Sequence, residues 1–262
     1  MNGKQLVSGL VVLCAVVLAT GPASAAIVWD FANPPAAPTL DEVMQAGGIV
    51  VGDKLIVFSE VVTTKTQGTA APEADAIKVT GVRYAGMGPG GWEYGLKFNG
   101  GWSAGTDEVS DTTIHFSVEV IDPELTQGWL IEDNKLSLSA FGTSDLPPGT
   151  SANDGGIVSV SENIYAKDPV LYQPNSPDNP SIANKFAYYR TDTNKDLYDE
   201  AVFAPLPKIW VIKDVAANGG DLDTGVAHLS EFYQVFSQVP EPSTLLLIGG
   251  AVLGARIARR RR

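Results

Sequence analysis

Gly101-Trp102-Ser103-Ala104-Gly105 satisfies the G-x-S-x-G pattern, in which a sharp turn exposes a serine as a nucleophile. That chemistry needs a strand before the serine, a helix after it, and then an acid and a histidine downstream. Here a polar turn, Thr106 to Asp111, and another strand follow. His115 stands too near in the chain for the usual order, which leaves His228 as the other candidate base. The pentad therefore reads as a turn serine between glycines, and an esterase-like hydrolase is the third of three functional readings. Asp192-Thr193-Asn194-Lys195-Asp196 spaces oxygen ligands like the opening of a calcium loop, with Asp199 and Glu200 close behind. The match then fails, because Leu197 stands where such a loop needs glycine and Phe203 where it needs an acid. Asp192, Asn194 and Asp196 are candidates for an irregular calcium site, set against the preferred reading of a solvated acidic loop. Asp221-Leu222-Asp223-Thr224-Gly225 is a second acidic turn. No other cofactor is expected. Two histidines far apart and a single cysteine, Cys14, do not make a zinc ligand set.

Glu93, Glu119 and Glu162 fall in expected strands, where an acid more often faces solvent than forms half of a glycosidase pair. Trp92, Tyr94 and Trp102 gather around a glycine-rich turn, and Tyr188 and Tyr189 stand together elsewhere. Aromatic platforms of this kind can stack on sugar rings, so a carbohydrate-binding module is the second reading. Core packing explains the same residues and is preferred.

The most patterned chemistry lies at the C-terminus. Pro240-Glu241-Pro242-Ser243 precedes an apolar run, Leu245 to Ala255, and then Arg256, Arg259, Arg260, Arg261 and Arg262. Two prolines fix φ and remove two backbone donors, so this motif is expected as an extended peptide outside any helix or central strand. The run is apolar on every face, which suits lipid, and the arginines are expected on the cytoplasmic side. Extended through Ala258 it reaches roughly 21 Å as a helix, against a hydrocarbon core of roughly 30 Å. Such a marginal span suits a temporary anchor. Taken together, Pro240-Glu241-Pro242-Ser243, the short glycine-containing run and the terminal arginines resemble the PEP-CTERM sorting signal of Gram-negative bacteria. That resemblance implies recognition and processing near the motif by an exosortase, an integral membrane enzyme.

The other end is consistent with export. Lys4, the apolar run Leu6 to Ala19 and the small residues Ala23-Ser24-Ala25 form a secretory signal peptide, cut before Ala26. No twin arginine is present, so the Sec machinery is the expected route. Cys14 lies inside the run and Leu13 before it is not small, so lipidation is not expected. Cleavage leaves a body without cysteine, hence without disulfide or thiolate.

Three segments follow: a signal peptide over 1–25, an exported domain over 26–238, and the sorting signal over 239–262. Removing Lys4, Glu241 and the five terminal arginines leaves 12 basic and 29 acidic residues in the body. Such acidity keeps an exported protein dispersed and repels nucleic acid, so no nucleic-acid partner is expected. Strands are expected over Ile27–Phe31, Leu55–Thr63, Ala76–Tyr84, Trp92–Phe98, Thr112–Ile121, Lys135–Phe141, Ile157–Ala166, Lys185–Arg190, Lys208–Val215 and Ala227–Gln238. In the strand after Asp111, Ile114, Phe116, Val118 and Val120 share one face. Thr39-Leu40-Asp41-Glu42 is a capping box and Gly47 a stop, so a short helix runs from Leu40 to Ala46. The expected fold is all-β: an antiparallel β-sandwich of jelly-roll type with one short helix, plus the terminal transmembrane helix.

The body's layout also resembles a recurrent PEP-CTERM passenger domain. The matching pieces are Leu40 to Lys54, Tyr94 to Phe98, Gly101 to Gly105, Asp111 to Val120 and Gly156 to Glu162. This resemblance implies an exported sandwich and assigns no activity. The leading expectation is thus a non-enzymatic cell-surface or matrix protein, anchored transiently in the inner membrane and then released. Its partners would be an exosortase and the Sec machinery, with exopolysaccharide as the ligand in the second reading.

Overall fold

The computed structural model describes residues 25–65, 71–86, 88–121, 129–143, 155–220 and 225–240. In chain order its elements are β1 (Ile27–Trp29), α1 (Leu40–Gln45), β2 (Ile49–Val51), β3 (Lys54–Lys65) and β4 (Lys78–Ala85). Next come β5 (Trp92–Ala104), β6 (Val109–Val120), β7 (Trp129–Thr143) and β8 (Ile157–Tyr165). The last five are β9 (Ser181–Thr191), β10 (Asn194–Asp196), β11 (Tyr198–Leu206), β12 (Lys208–Asn218) and β13 (Ala227–Pro240). The expected signal peptide, the Asp221 acidic turn up to Thr224, and everything from Glu241 through the apolar run and the arginines lie outside the described residues. Among the described residues no helix is long and apolar enough to cross a membrane.

The described residues are all-β apart from α1 and one 3-10 turn. Eight strands form one sheet in the order β1-β2-β3-β6-β12-β8-β9-β10, and five form another in the order β11-β7-β13-β5-β4. Period-two alternation explains the faces. On β6, Ile114, Phe116 and Val118 are buried, on β12 Ile209, Val211 and Val215, and on β8 Val158, Val160 and Ile164. From the five-stranded sheet Leu96, Phe98, Trp102, Leu136, Leu138, Phe232 and Phe236 meet them in one core. Phe98 and Phe232 stack with ring centroids 4.8 Å apart, and Phe58 meets Phe98 edge-on at 6.1 Å.

α1 starts as its sequence dictates. Thr39 Oγ1 accepts from the Glu42 backbone N–H at 3.2 Å, and Glu42 returns a carboxylate oxygen to the Thr39 N–H at 2.8 Å. Leu40 and Val43 bury the inner face. The chain then turns back through Gly47 and Gly48, both at positive φ. A Cβ on Gly48 would lie 2.7 Å from the Ile56 carbonyl oxygen, so only glycine lets β2 close on β3.

The structure corrects the sequence reading at four places. β1 pairs parallel with β2, so the larger sheet is not wholly antiparallel. β5 continues through Gly100 and Gly101 to Ala104, where a turn was expected. The segment from Asp192 to Glu200, expected as a loop, turns directly through β10 into β11, and β11 pairs along β7. β13 runs past the expected boundary, pairing Gln238, Val239 and Pro240 with Ile131, Leu130 and Trp129. Pro240 was expected outside any central strand. It is tolerated because β13 stops pairing with β5 at Phe236, so the proline lies where one side of the strand has no partner to serve.

Candidate functional site

Three arrangements have chemical content. The first is the solvent-facing side of the five-stranded sheet. Tyr233, Ser137 and Tyr198 stand directly opposite one another on β13, β7 and β11, and Val235, Lys135 and Glu200 form the next row. Tyr84 and Glu93 are partners on β4 and β5. Six of these, with Val235, line a groove of about 250 Å³: Tyr84, Glu93, Lys135, Ser137, Tyr198 and Tyr233. Tyr84 and Tyr198 are nearly half exposed, at 45% and 49%. The Tyr84 ring meets Tyr233 edge-on at 6.5 Å.

Polar groups in this groove hold one another. Lys135 Nζ lies 2.7 Å from a Glu93 oxygen and donates to Ser237 Oγ at 3.0 Å. The Tyr198 hydroxyl donates to Glu200 at 2.7 Å, and the Tyr233 hydroxyl to Glu231 at 2.7 Å. The hydrogen bond to Glu231, reinforced by burial, pushes Tyr233 up to about 12. Burial and then Glu200 raise Tyr198 further still. Glu231 goes the other way: burial opposes its charge, but Tyr233, Lys97 and Ser139 together pull it down to about 2. Both phenols therefore stay protonated and neutral at any physiological pH, as flat rings beside charges of both signs.

The second arrangement is buried. Lys213 on β12, Glu162 on β8 and Lys185 on β9 stand directly opposite one another in the larger sheet, all pointing into the core. Lys213 Nζ donates to Glu162 Oε1, and Lys185 Nζ lies 2.8 Å from Oε2. From the facing sheet Asn134 Nδ2 donates to Oε2 at 3.1 Å and Gln234 Nε2 at 3.2 Å. Burial opposes the charge on Glu162, yet the two lysines outweigh it and hold its carboxyl below the usual range.

The third is the end of β13. Its backbone is paired up to Pro240 and leads straight into Glu241-Pro242-Ser243. The strand that carries the tail is thus the middle one of the five.

Other residues singled out from the sequence fall elsewhere. Ser103 is a strand residue opposite His228, on β5 and β13. Among the described residues no hydrogen bond joins the two, and neither bonds to a carboxylate. No helix follows Ser103, and Trp102 beside it is wholly buried with its indole N–H on Thr112 Oγ1 at 3.0 Å. The elbow geometry is absent. Asp192 Oδ1 is taken by Lys195 Nζ at 3.1 Å, and Asn194 Oδ1 accepts from the Tyr188 hydroxyl at 3.0 Å. Among the described residues no three His, Cys, Asp or Glu side chains converge as a metal site. Glu119 is half exposed and paired with Lys208, as expected of a solvent face. Glu93 and Glu162 are buried, against that expectation, because each meets a lysine. His115 lies against Glu60 on the outer face of the larger sheet. Lys135, Lys185, Lys213, Asn134, Tyr84, Tyr198 and Tyr233 were not anticipated. The available signal was polar residues at inward positions of apolar strands, such as Lys213 two residues after Val211.

The family model of the PEP-CTERM protein-sorting motif matches residues 238–262. No curated protein matches the chain. Among solved structures, a family 11 carbohydrate-binding module from Clostridium thermocellum, in complex with a beta-1,3-1,4-mixed-linked tetrasaccharide, is similar at 11% identity. The match covers 71% of this chain and 97% of that one, at a TM-score of 0.18. The motif implies export, membrane-linked sorting and processing by an exosortase. With Pro240-Glu241-Pro242-Ser243 inside the matched span and the arginines at its end, the chain carries a PEP-CTERM protein-sorting motif.

Proposed function

We propose that this is an exported, non-enzymatic surface or matrix protein whose body binds carbohydrate on the outer face of the five-stranded sheet. The body is a β-sandwich of jelly-roll type, antiparallel but for β1 and β2. It leaves the cytoplasm through the Sec machinery, loses residues 1–25, and is held at the inner membrane by the run Leu245 to Ala255 until an exosortase acts near Pro240 to Ser243. The observation that supports a sugar ligand is the groove of Tyr84, Tyr198 and Tyr233 around Glu93, Lys135 and Ser137. Sugars offer C–H faces to aromatic rings and hydroxyls to paired charges, and a groove with both signs of charge suits a neutral polyhydroxylated chain better than a polyanion.

The test is binding of the host's exopolysaccharide to the purified protein by calorimetry or affinity electrophoresis. Tyr198→Ala and Tyr84→Ala should each weaken binding about 5- to 30-fold, equivalent to about 1–2 kcal/mol. Unchanged binding in the double variant would remove the groove from the function.

A further inference from the structure

Glu162, Lys185 and Lys213 set a charge problem. One carboxylate faces two lysines, and all three side chains are wholly buried. With both lysines protonated, one positive charge lies in the core without a counter-charge, which is strongly disfavoured. Burial, then the repulsion of Lys185, works against the attraction of Glu162 and leaves Lys213 at about 8. A desolvated amine that gives up its proton readily is a nucleophile. An electrophile shares the same carboxylate. Lys213 Nζ is on Glu162 Oε1, and Asn134 Nδ2 is on Oε2 at 3.1 Å. Asn134 is fully buried, and its Oδ1 has no hydrogen-bond partner among the described residues. That carbonyl oxygen is free to take a proton.

We propose that Lys213 and Asn134 join in an isopeptide bond across the two sheets, with Glu162 carrying the protons. Glu162 first takes a proton from the Lys213 ammonium, giving a neutral amine and a neutral acid, a minor form of the pair because the two lysines favour the ionised carboxyl. Lys213 Nζ attacks Asn134 Cγ while the amide, turned so that Oδ1 replaces Nδ2 against Glu162, takes the Glu162 proton on Oδ1. Glu162, ionised again, takes a proton from the attacking nitrogen and hands it to the departing Nδ2. The C–N bond to Nδ2 breaks, the carbonyl reforms, and ammonia leaves with the remaining proton as ammonium. One N–C bond forms, one breaks, and nothing is oxidised or reduced. The product solves the charge problem, because Lys213 becomes a neutral amide and Glu162 is left against Lys185 alone.

Lys213 rather than Lys185 is the nucleophile because it reaches across the core, its Nζ 5.0 Å from the centre of the Phe232 ring on the facing sheet. Asn134 rather than Gln234 is the electrophile because its shorter side chain has fewer rotors to freeze. Gln234 is then a positioning residue, donating to the same carboxylate oxygen. The bond would tie β7 to β12 in a body that has no cysteine with which to form a disulfide.

Peptide mapping by mass spectrometry of the protein isolated from its host tests this. The peptide containing Asn134 should be found joined to that containing Lys213, at the summed mass less one ammonia. Glu162→Gln and Asn134→Ala should give the two peptides unjoined, while Asn134→Asp should give the wild-type product through loss of water. Unjoined peptides in the wild type would overturn the proposal. So would a link from Lys185 or to Gln234, and equal joining in Glu162→Gln would overturn the role of the carboxylate. Wild-type mapping needs no variant to fold.

Discussion

Trp102→Ala separates the two readings of the aromatic residues. Trp102 is wholly buried, its ring centroid 5.6 Å from Phe232 and its indole N–H bonded to Thr112. Removing it deletes the largest fully buried side chain of the described core and leaves a cavity between the sheets. Such a change costs about 3–5 kcal/mol. For a domain of this size each kcal/mol shifts Tm by about 2–4 °C, so Tm should fall by about 6–20 °C. Thr112 Oγ1 still donates to the Pro72 carbonyl at 3.3 Å, so the lost indole bond adds little to this. The measurement is thermal unfolding by circular dichroism, with carbohydrate binding read well below the transition, where it should be unchanged. Tyr198→Ala is the counterpart: its ring is half exposed, so Tm should move by only a few degrees while binding weakens. If Trp102→Ala kept its Tm and lost binding, Trp102 would be a sugar platform and the core described above would be wrong.

Asp111 is pushed up to about 6, by burial first and then by the hydrogen bond and like charge of Asp214. The fold thus favours its neutral form, a contribution fully present below the ordinary carboxyl range and lost as pH rises through about 6. Asp111→Asn should therefore flatten the Tm-versus-pH curve between about pH 4 and 6 and stabilise the fold at pH 8, by less than about 1 kcal/mol because the site is only partly buried. Calcium should leave Tm unmoved, since Lys195 and Tyr188 already occupy the oxygens of Asp192 and Asn194; a rise abolished by Asp192→Ala with Asp196→Ala would restore the calcium reading. Gly95→Ala should destabilise the sheet under the groove, because its Cβ would fall on the Gln234 carbonyl oxygen and 2.6 Å from Val235 Cα.

How much was legible follows from range. The Thr39 capping box and the alternation of Ile114, Phe116 and Val118 are local signals, and both appear where the sequence puts them. β11 was missed because Tyr198-Asp199-Glu200-Ala201 has acids where apolar residues would mark a strand. Its pairing is supplied by β7, some 60 positions earlier in the chain. The core cluster hid for the same reason. Lys213, Glu162 and Lys185 look like solvent-facing charges in three separate segments, and only the register of β12, β8 and β9 sets them in one row. The groove needed five strands to assemble, and no stretch of sequence contains more than two of its residues side by side in space. The sorting motif, by contrast, was legible in the sequence, since its parts are contiguous and lie within the matched span.

The end of β13 decides where a processing enzyme can act. A protease needs its substrate backbone extended and unpaired, with N–H and C=O groups free to bond to the enzyme. At Val239 and Pro240 that backbone is paired with Leu130 and Trp129. Cutting before Pro240 would require peeling β13 from β7, with Gln238 and Ser237 both buried just behind. The described strand ends at Pro240, and Pro242 has no backbone N–H to give to a ladder. The cleaved bond should therefore lie on the C-terminal side of Pro240, and the mature protein should keep the whole of β13. Intact-mass measurement of the released protein reads this directly, with N-terminal sequencing fixing the other end. A mature C-terminus at Val239 or earlier would mean that the central strand opens during sorting, and that the enzyme acts on the body before its sheet is closed.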